Sequence, residues 1–242
     1  MESNDLRRPA SPGAATNTLT LRWWLAFSLL ILAIHEAHEL AHVLTGKAVC
    51  GTWAARDFNA WWFTGPCESV LPTTAGPIFS YLTMFAGAAI AFRPKPPYRW
   101  AGVALLFSAN PFARIFTAAM GGGDEMVVGR RIAGVVNRTP AVHALVLIVV
   151  AAICGAAIIM GWRTTQGLKR RALCFVGMLL WPMILTGTLL FVIGNRLLRA
   201  GILAEPTIAG APLLVMLVTV VVFALTGLTV RWLSIVRPSM PS

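Results

Sequence analysis

Six apolar stretches, at about 22–46, 71–92, 99–122, 140–162, 172–195 and 209–233, each match the roughly 20 residues of helix that cross the hydrocarbon core of a bilayer. This pattern leaves little choice of fold. Charged residues make up 12% of the chain and mean hydropathy is +0.73, whereas a soluble domain keeps about a quarter of its residues charged. The expected class is an all-α, polytopic integral membrane protein of about six transmembrane helices. No internal repeat and no soluble domain is evident.

The net charge of +11 does not indicate nucleic-acid binding, which needs a basic face on a soluble domain. The Arg and Lys residues fall at span ends and in short loops, where they orient helices and meet anionic head groups of the lipid bilayer. Six spans put both termini on one side. Twelve of the twenty Lys and Arg fall on that side, among them Arg22, Arg93, Arg99, Arg163, Lys169, Arg170 and Arg171. Seven fall on the other, and Arg114 lies within the third span. The positive-inside rule therefore places both termini in the cytoplasm and the chain in the cell membrane as a multi-pass protein. Trp23, Trp24, Trp100, Trp162 and Trp232 sit near span ends, as interfacial anchors do. Residues 1–21, rich in Ser, Pro, Asn and Thr, are expected to be a disordered cytoplasmic tail. No small-x-small cleavage site follows the apolar run from Trp23 to Ile34, and the chain goes directly into His35, so the first helix is expected to be retained.

The first span also carries the strongest chemical signal. His35, Glu36, His38, Glu39 and His42 crowd into eight positions, although an ionised group near mid-bilayer costs about 2.5–3.5 kcal/mol even on the lenient insertion scale. Such a cluster must face the bundle interior or bind something. At about 100° per residue, His38 and His42 stack one turn apart on one helical face. Two imidazoles so placed can share one tetrahedral Zn2+, with Glu39 between them directed at a water whose pKa the metal lowers. Glu39 is the expected catalytic base, taking a proton from that water and passing it to a leaving amine. The competing account is a buried His/Glu network that holds helices together or relays protons or metal in a transporter. With only four histidines, three of them on one helix, a di-iron site is not expected. Glu36 is expected to orient a histidine. His35 is left open as a partner behind a ligand, a further ligand, or part of a polar cavity.

Catalytic zinc takes three protein ligands and keeps one position open. His42 sits near the outer end of the first span, so Glu2 and Asp5 are too far away and Glu205 lies in a distant loop. Asp124, after Gly121-Gly122-Gly123 at the outer end of the third span, is the leading third ligand. The competing account is a plain helix cap. Glu125, Glu68 and His143 are the reserves.

These residues resemble the site-2-protease-like intramembrane zinc metalloproteases. His38-Glu39-Leu40-Ala41-His42 falls in the first core helix, Ala75-Gly76-Pro77 opens the next span, and Asn110-Pro111 precedes an Asp in the third. The resemblance covers roughly residues 30–130. It implies a three-helix catalytic core in 22–138, zinc ligands His38, His42 and Asp124, Glu39 as general base, and a single-span membrane protein as substrate. A non-proteolytic zinc-binding relative is the other outcome it allows. Residues 139–242 would be accessory helices, a gate or lid. Gly123-Asp124-Glu125 departs from the family's Leu-Asp-Gly, no PDZ domain is present, and the family's site lies near the cytoplasmic face.

Around the site, Trp53, Phe58, Trp61, Trp62 and Phe63 suggest a 47–70 loop lying in the interface or folding back over the cluster. In the family, strands here pair with an unwound substrate. Cys50 and Cys67 bracket the loop and would form a disulfide if it lies outside the cytoplasm. Arg114 is expected to snorkel, with a carboxylate or a substrate carbonyl as the alternative partner. Pro77, Pro111 and Pro182 are expected to kink their spans.

Overall fold

The computed structural model describes residues 17–93, 96–137, 139–207 and 209–238. Most of the expected tail, 1–16, lies outside the described residues. Its last part is ordered: β1 (Asn17–Leu19) pairs antiparallel with Val236–Pro238 near the other end of the chain. Asn17 also bonds the 165–170 turn, its N–H reaching Gly167 O at 2.7 Å. Both described ends and that turn therefore meet at one end of the bundle, as an even number of spans requires.

Helix α1 (Leu21–Cys50) starts where the Thr20 hydroxyl accepts from Trp23 N and stops at Gly51, whose left-handed φ of 74° closes the last turn. The following loop then forms a small hairpin of β2 (Ala55–Arg56) and β3 (Trp61–Trp62). Helices α2 (Leu71–Ala91), α3 (Pro96–Ser108), α4 (Pro111–Ala119), α5 (Asp124–Ile132) and α6 (Pro140–Thr164) follow. Helix α7 (Arg171–Thr186) runs through a π-helical segment, Gly187–Gly194, into α8 (Asn195–Arg199). The last span is α9 (Leu213–Thr229), extended by a 3₁₀ turn, Val230–Ser234, before β4 (Val236–Pro238).

Six spans result: 21–50, 71–91, 98–119, 140–164, 171–199 and 213–234. The protein is a multi-pass, all-α membrane protein. In the most apolar windows of the first and third spans 50% of residues are buried within the protein, against 22% in the fifth and sixth. The first three spans thus form the inner layer and the later ones face lipid over most of their surface. Small residues bring the inner helices together, as expected where lipid removes the hydrophobic drive between helices. A Cβ on Gly102 would lie 2.6 Å from the Gly87 carbonyl oxygen, so α2 and α3 touch backbone to backbone. Trp23, Phe27 and Ile31 of α1 join Met84, Val103, Phe107, Cys154 and Met178 in one apolar core.

Two expectations about anchors and kinks change. Trp23 and Trp100 are core residues, 0% and 3% exposed, and the Trp23 indole donates to Leu233 O at 3.1 Å. A proline kink at Pro111 becomes a complete break. Asn110 adopts left-handed φ 57° and ψ 53°, separating α3 from α4, because the residue before proline avoids the helical region and Asn tolerates the left-handed one. Pro77 sits inside an otherwise continuous α2, and Pro182 precedes the π-helical segment.

Candidate metal centre

The face carrying His38 and His42 points inward, and both side chains are buried. Opposite them is Gly76 of α2. A Cβ there would come within 2.6 Å of both His38 Cε1 and His42 Cε1, so only glycine lets α2 approach the histidines this closely. One turn further along α2, Ser80 Oγ lies 3.0 Å from His38 Nδ1.

Asp124 comes from the third side. Gly121 (φ 73°) and Gly123 (φ 85°) turn the chain after α4, and Asp124 begins α5. Gly123 occupies the cap position without a side-chain bond, so the carboxylate is not a helix cap. Its Oδ2 lies 3.3 Å from both His38 Nε2 and His42 Nε2, and those two nitrogens are 3.1 Å apart. Ligand atoms about 2.0–2.1 Å from a tetrahedral ion are separated by about 3.3 Å. His38, His42 and Asp124 therefore form a group that fits a metal ion.

Protonation makes the same point. His42 Nδ1 lies 2.6 Å from Pro72 O. A carbonyl only accepts, so Nδ1 carries the proton and Nε2 of the neutral ring presents a lone pair. His38 Nδ1 lies 3.0 Å from Ser80 Oγ and 2.9 Å from Arg114 Nη2, and Ser80 Oγ accepts from Arg114 Nη2 at 2.7 Å, so these two residues fix the orientation of the His38 ring. Two imidazole nitrogens and a carboxylate oxygen thus converge on one point, an arrangement that could hold a metal ion.

The group borders a cavity of about 360 Å³ whose walls also include Glu39, Asn110, Arg114 and Glu125. Asn110 precedes Asp124 by 14 residues, about 21 Å along a continuous helix, yet both reach the cavity because the chain breaks at Asn110 and turns again at 121–123. Three carboxylates (Glu39, Asp124, Glu125) face one guanidinium (Arg114), a net of two negative charges when all are ionised. A divalent cation would neutralise them. Glu39 is 5% exposed and its Oε2 has no hydrogen-bond partner.

Several expectations for neighbouring residues are corrected. Glu36 orients no histidine: it pairs with Arg56 at 2.5 Å and accepts from the Thr219 hydroxyl at 2.5 Å. Its place on α1 turns it toward α9, away from the metal group. Arg114 does not snorkel. It pairs with Glu125, donates to Ser80 and lies 2.9 Å from His38 Nδ1, because a carboxylate held at the same depth supplies the partner that snorkelling would seek. Glu125 also accepts from Tyr81 at 2.8 Å.

His35 lies outside the trio, its Nε2 3.0 Å from Phe58 O, and His143 bonds Ala118 O at 2.9 Å. The aromatic loop folds back over the site: Trp61 stacks on His42 with ring centroids 4.9 Å apart. Cys50 and Cys67 form a disulfide across this loop. Ser80, Arg56 and the fifth-span wall of Met183, Thr186, Gly187 and Phe191 escaped the sequence reading. Only the one-turn spacing of Gly76 and Ser80 hinted at any of them.

No family model matches the chain, and no curated protein or solved structure matches it either.

Proposed function

We propose that this protein is an intramembrane zinc metalloprotease of site-2-protease type, cutting single-span membrane proteins. The observation that carries the reading is the convergence of His38 Nε2, His42 Nε2 and Asp124 Oδ2 within 3.1–3.3 Å of one another, inside a bundle of membrane-spanning helices. Zinc, when bound there, supplies a Lewis acid that polarises a carbonyl and lowers the pKa of a water.

The remaining work falls to the chain. Pro72 O holds the His42 imidazole in the tautomer that leaves Nε2 free, and Ser80 Oγ, 3.0 Å from His38 Nδ1, fixes the His38 ring. Glu39 Oε2, buried and unpartnered, accepts a proton from water and returns it to the leaving amine. Trp61 covers His42 and limits solvent from the hairpin side. The Cys50–Cys67 disulfide suits an oxidising compartment and agrees with the charge asymmetry, so the termini belong in the cytoplasm and the site in the outer half of the cell membrane.

The test is metal content of detergent-purified protein, wild type beside His38→Ala and Asp124→Ala, followed by Glu39→Gln. About one zinc per chain in wild type, lost from both ligand variants and kept by a proteolytically dead Glu39→Gln, supports the reading. A folded wild type without zinc would make the cluster a polar network. Zinc bound and moved across vesicle membranes, with dependence on His38, would make it a transporter.

A further inference from the structure

A groove of about 500 Å³ runs between α2, α5 and α6, and Glu125 borders both it and the cavity beside the metal group. Its walls reach from Thr74 to Tyr81 on α2 and from Val142 to Val150 on α6, about 10–12 Å along each axis at 1.5 Å per residue. Both helices start at the end of the bundle opposite the described chain ends. The groove therefore runs inward from that face over most of one leaflet, which is half of a hydrocarbon core roughly 30 Å thick. Its polar side chains are spent. Thr74 Oγ1 donates to Val70 O at 2.7 Å, Tyr81 donates to Glu125 at 2.8 Å, and Glu125 pairs with Arg114. What remains is hydrocarbon, with Ile78, Leu145 and Val149 51%, 63% and 47% exposed.

The mouth of the groove is basic. Helix α5 ends there, with Ile132 and Ala133 in the wall and Arg130 and Arg131 in its last turn. Arg131 Nη1 donates to Ser69 O at 3.1 Å, just before α2, so its guanidinium bridges α5 and the start of α2. Basic residues in a last turn commonly serve the helix dipole and its free carbonyls. Here those carbonyls are already taken by the backbone. Ala133 N bonds Gly129 O at 3.0 Å, Gly134 N bonds Arg131 O at 3.2 Å and Val135 N bonds Arg130 O at 3.0 Å. Neither arginine pairs with a carboxylate among the described residues. The two also stand at the end of the bundle that carries fewer basic residues, so the general charge bias of membrane proteins does not account for them.

We propose that this groove is a binding site for an anionic phospholipid, one acyl chain lying between α2 and α6 and the phosphate resting on Arg130 and Arg131. Two features select this occupant. Lipid phosphates lie at the level where helices leave the hydrocarbon, and basic clusters at that level attract anionic head groups. A chain hanging from such a head group enters the groove without asking for a hydrogen bond, which its walls do not offer. A second transmembrane helix would cover the same apolar walls but bring no anion to the mouth. The site needs no metal and stands apart from the catalytic reading.

The test is native mass spectrometry of the delipidated full chain in a neutral detergent, titrated with dioctanoyl phosphatidylglycerol, dioctanoyl phosphatidylcholine or inorganic phosphate. Wild type is expected to retain one phosphatidylglycerol, bound about tenfold more tightly than phosphatidylcholine, the worth of one charge-assisted hydrogen bond. Phosphate alone should neither bind nor displace it. Arg130→Gln with Arg131→Gln should remove the preference and leave the weaker binding of phosphatidylcholine. Val149→Trp and Ile78→Trp, from opposite walls, fill the groove at exposed positions and should each weaken both lipids about tenfold. Val220→Trp on α9, also exposed, should bind as wild type does. Equal affinity for the two lipids, or a preference that survives loss of both arginines, would overturn the proposal and leave only the ordinary lipid shell. Displacement by phosphate would make the arginines a plain anion site. Fillers that leave lipid binding intact but break up a dimer would assign the groove to a second copy of the chain.

Discussion

Glu36 of the first helix and Arg56 of the hairpin form an ion pair 2.5 Å apart with each side chain 1% exposed, tying the loop over the site to the helix that carries the histidines. Thr219 of the last span donates to the same carboxylate oxygen at 2.5 Å, so three distant segments meet there. Removing one partner of a buried pair strands the other charge, at a cost of about 3–5 kcal/mol, whereas replacing both is far cheaper. Arg56→Gln should therefore lower the thermal midpoint strongly, and adding Glu36→Gln should recover part of the loss. Strictly additive losses in the double variant would mean the two charges are not coupled.

Gly76 faces the two histidine rings with no room for a side chain. Gly76→Ala must push α2 away or displace His38 and His42. The expected outcome is a folded protein that holds much less than one zinc per chain by elemental analysis. Gly155 has nothing near its Cβ position, and Gly155→Ala should keep its metal. Equal zinc in both variants would show that the glycine sets helix packing and not the centre.

The spans and the two histidines were legible because each rests on local rules. Span length follows from apolar runs, and the i, i+4 spacing of His38 and His42 survives any tertiary arrangement. Asp124 was reachable by counting carboxylates on one side of the membrane. Arg114 and Glu36 were misread because their partners, Glu125 and Arg56, are set by how the helices and the hairpin pack. The share of the fifth span in the cavity wall, through Gly187 and Phe191, also depends on long-range packing that no local pattern records. Trp23 and Trp100 were misread for a related reason: position near a span end predicts depth in the membrane, not whether a ring faces lipid or protein.

The Cys50–Cys67 disulfide closes a loop of sequence separation 17, and that loop carries Arg56, Phe58 and Trp61. A loop of this size is worth about 3 kcal/mol in the chain-entropy account. Reduction, or Cys50→Ser with Cys67→Ser, should lower thermal stability and change the emission of Trp61, which stacks on His42. Zinc binding should remain, since none of the three proposed ligands lies in the loop. An unchanged thermal midpoint after complete reduction would show that the Glu36–Arg56 pair alone holds the hairpin.

The charge balance of the cavity gives the sharpest expectation for metal removal. With Glu39, Asp124 and Glu125 facing Arg114, stripping a divalent ion leaves two uncompensated negative charges at membrane depth, each costly in a medium of low dielectric. Ligand linkage adds about 2.7 kcal/mol at a hundredfold excess over the dissociation constant, or about 5–10 °C for a chain of this size. Chelation should lower the midpoint of wild type by that order, and zinc should restore it. Asp124→Asn removes one ligand and one negative charge together. It should start from a midpoint nearer that of stripped wild type and respond little to either chelator or zinc. Differential scanning fluorimetry of both proteins, with and without chelator, separates the cases. If stripped wild type is as stable as the loaded protein, the two uncompensated carboxylates must already be neutralised by protons, and charge alone does not require a divalent ion.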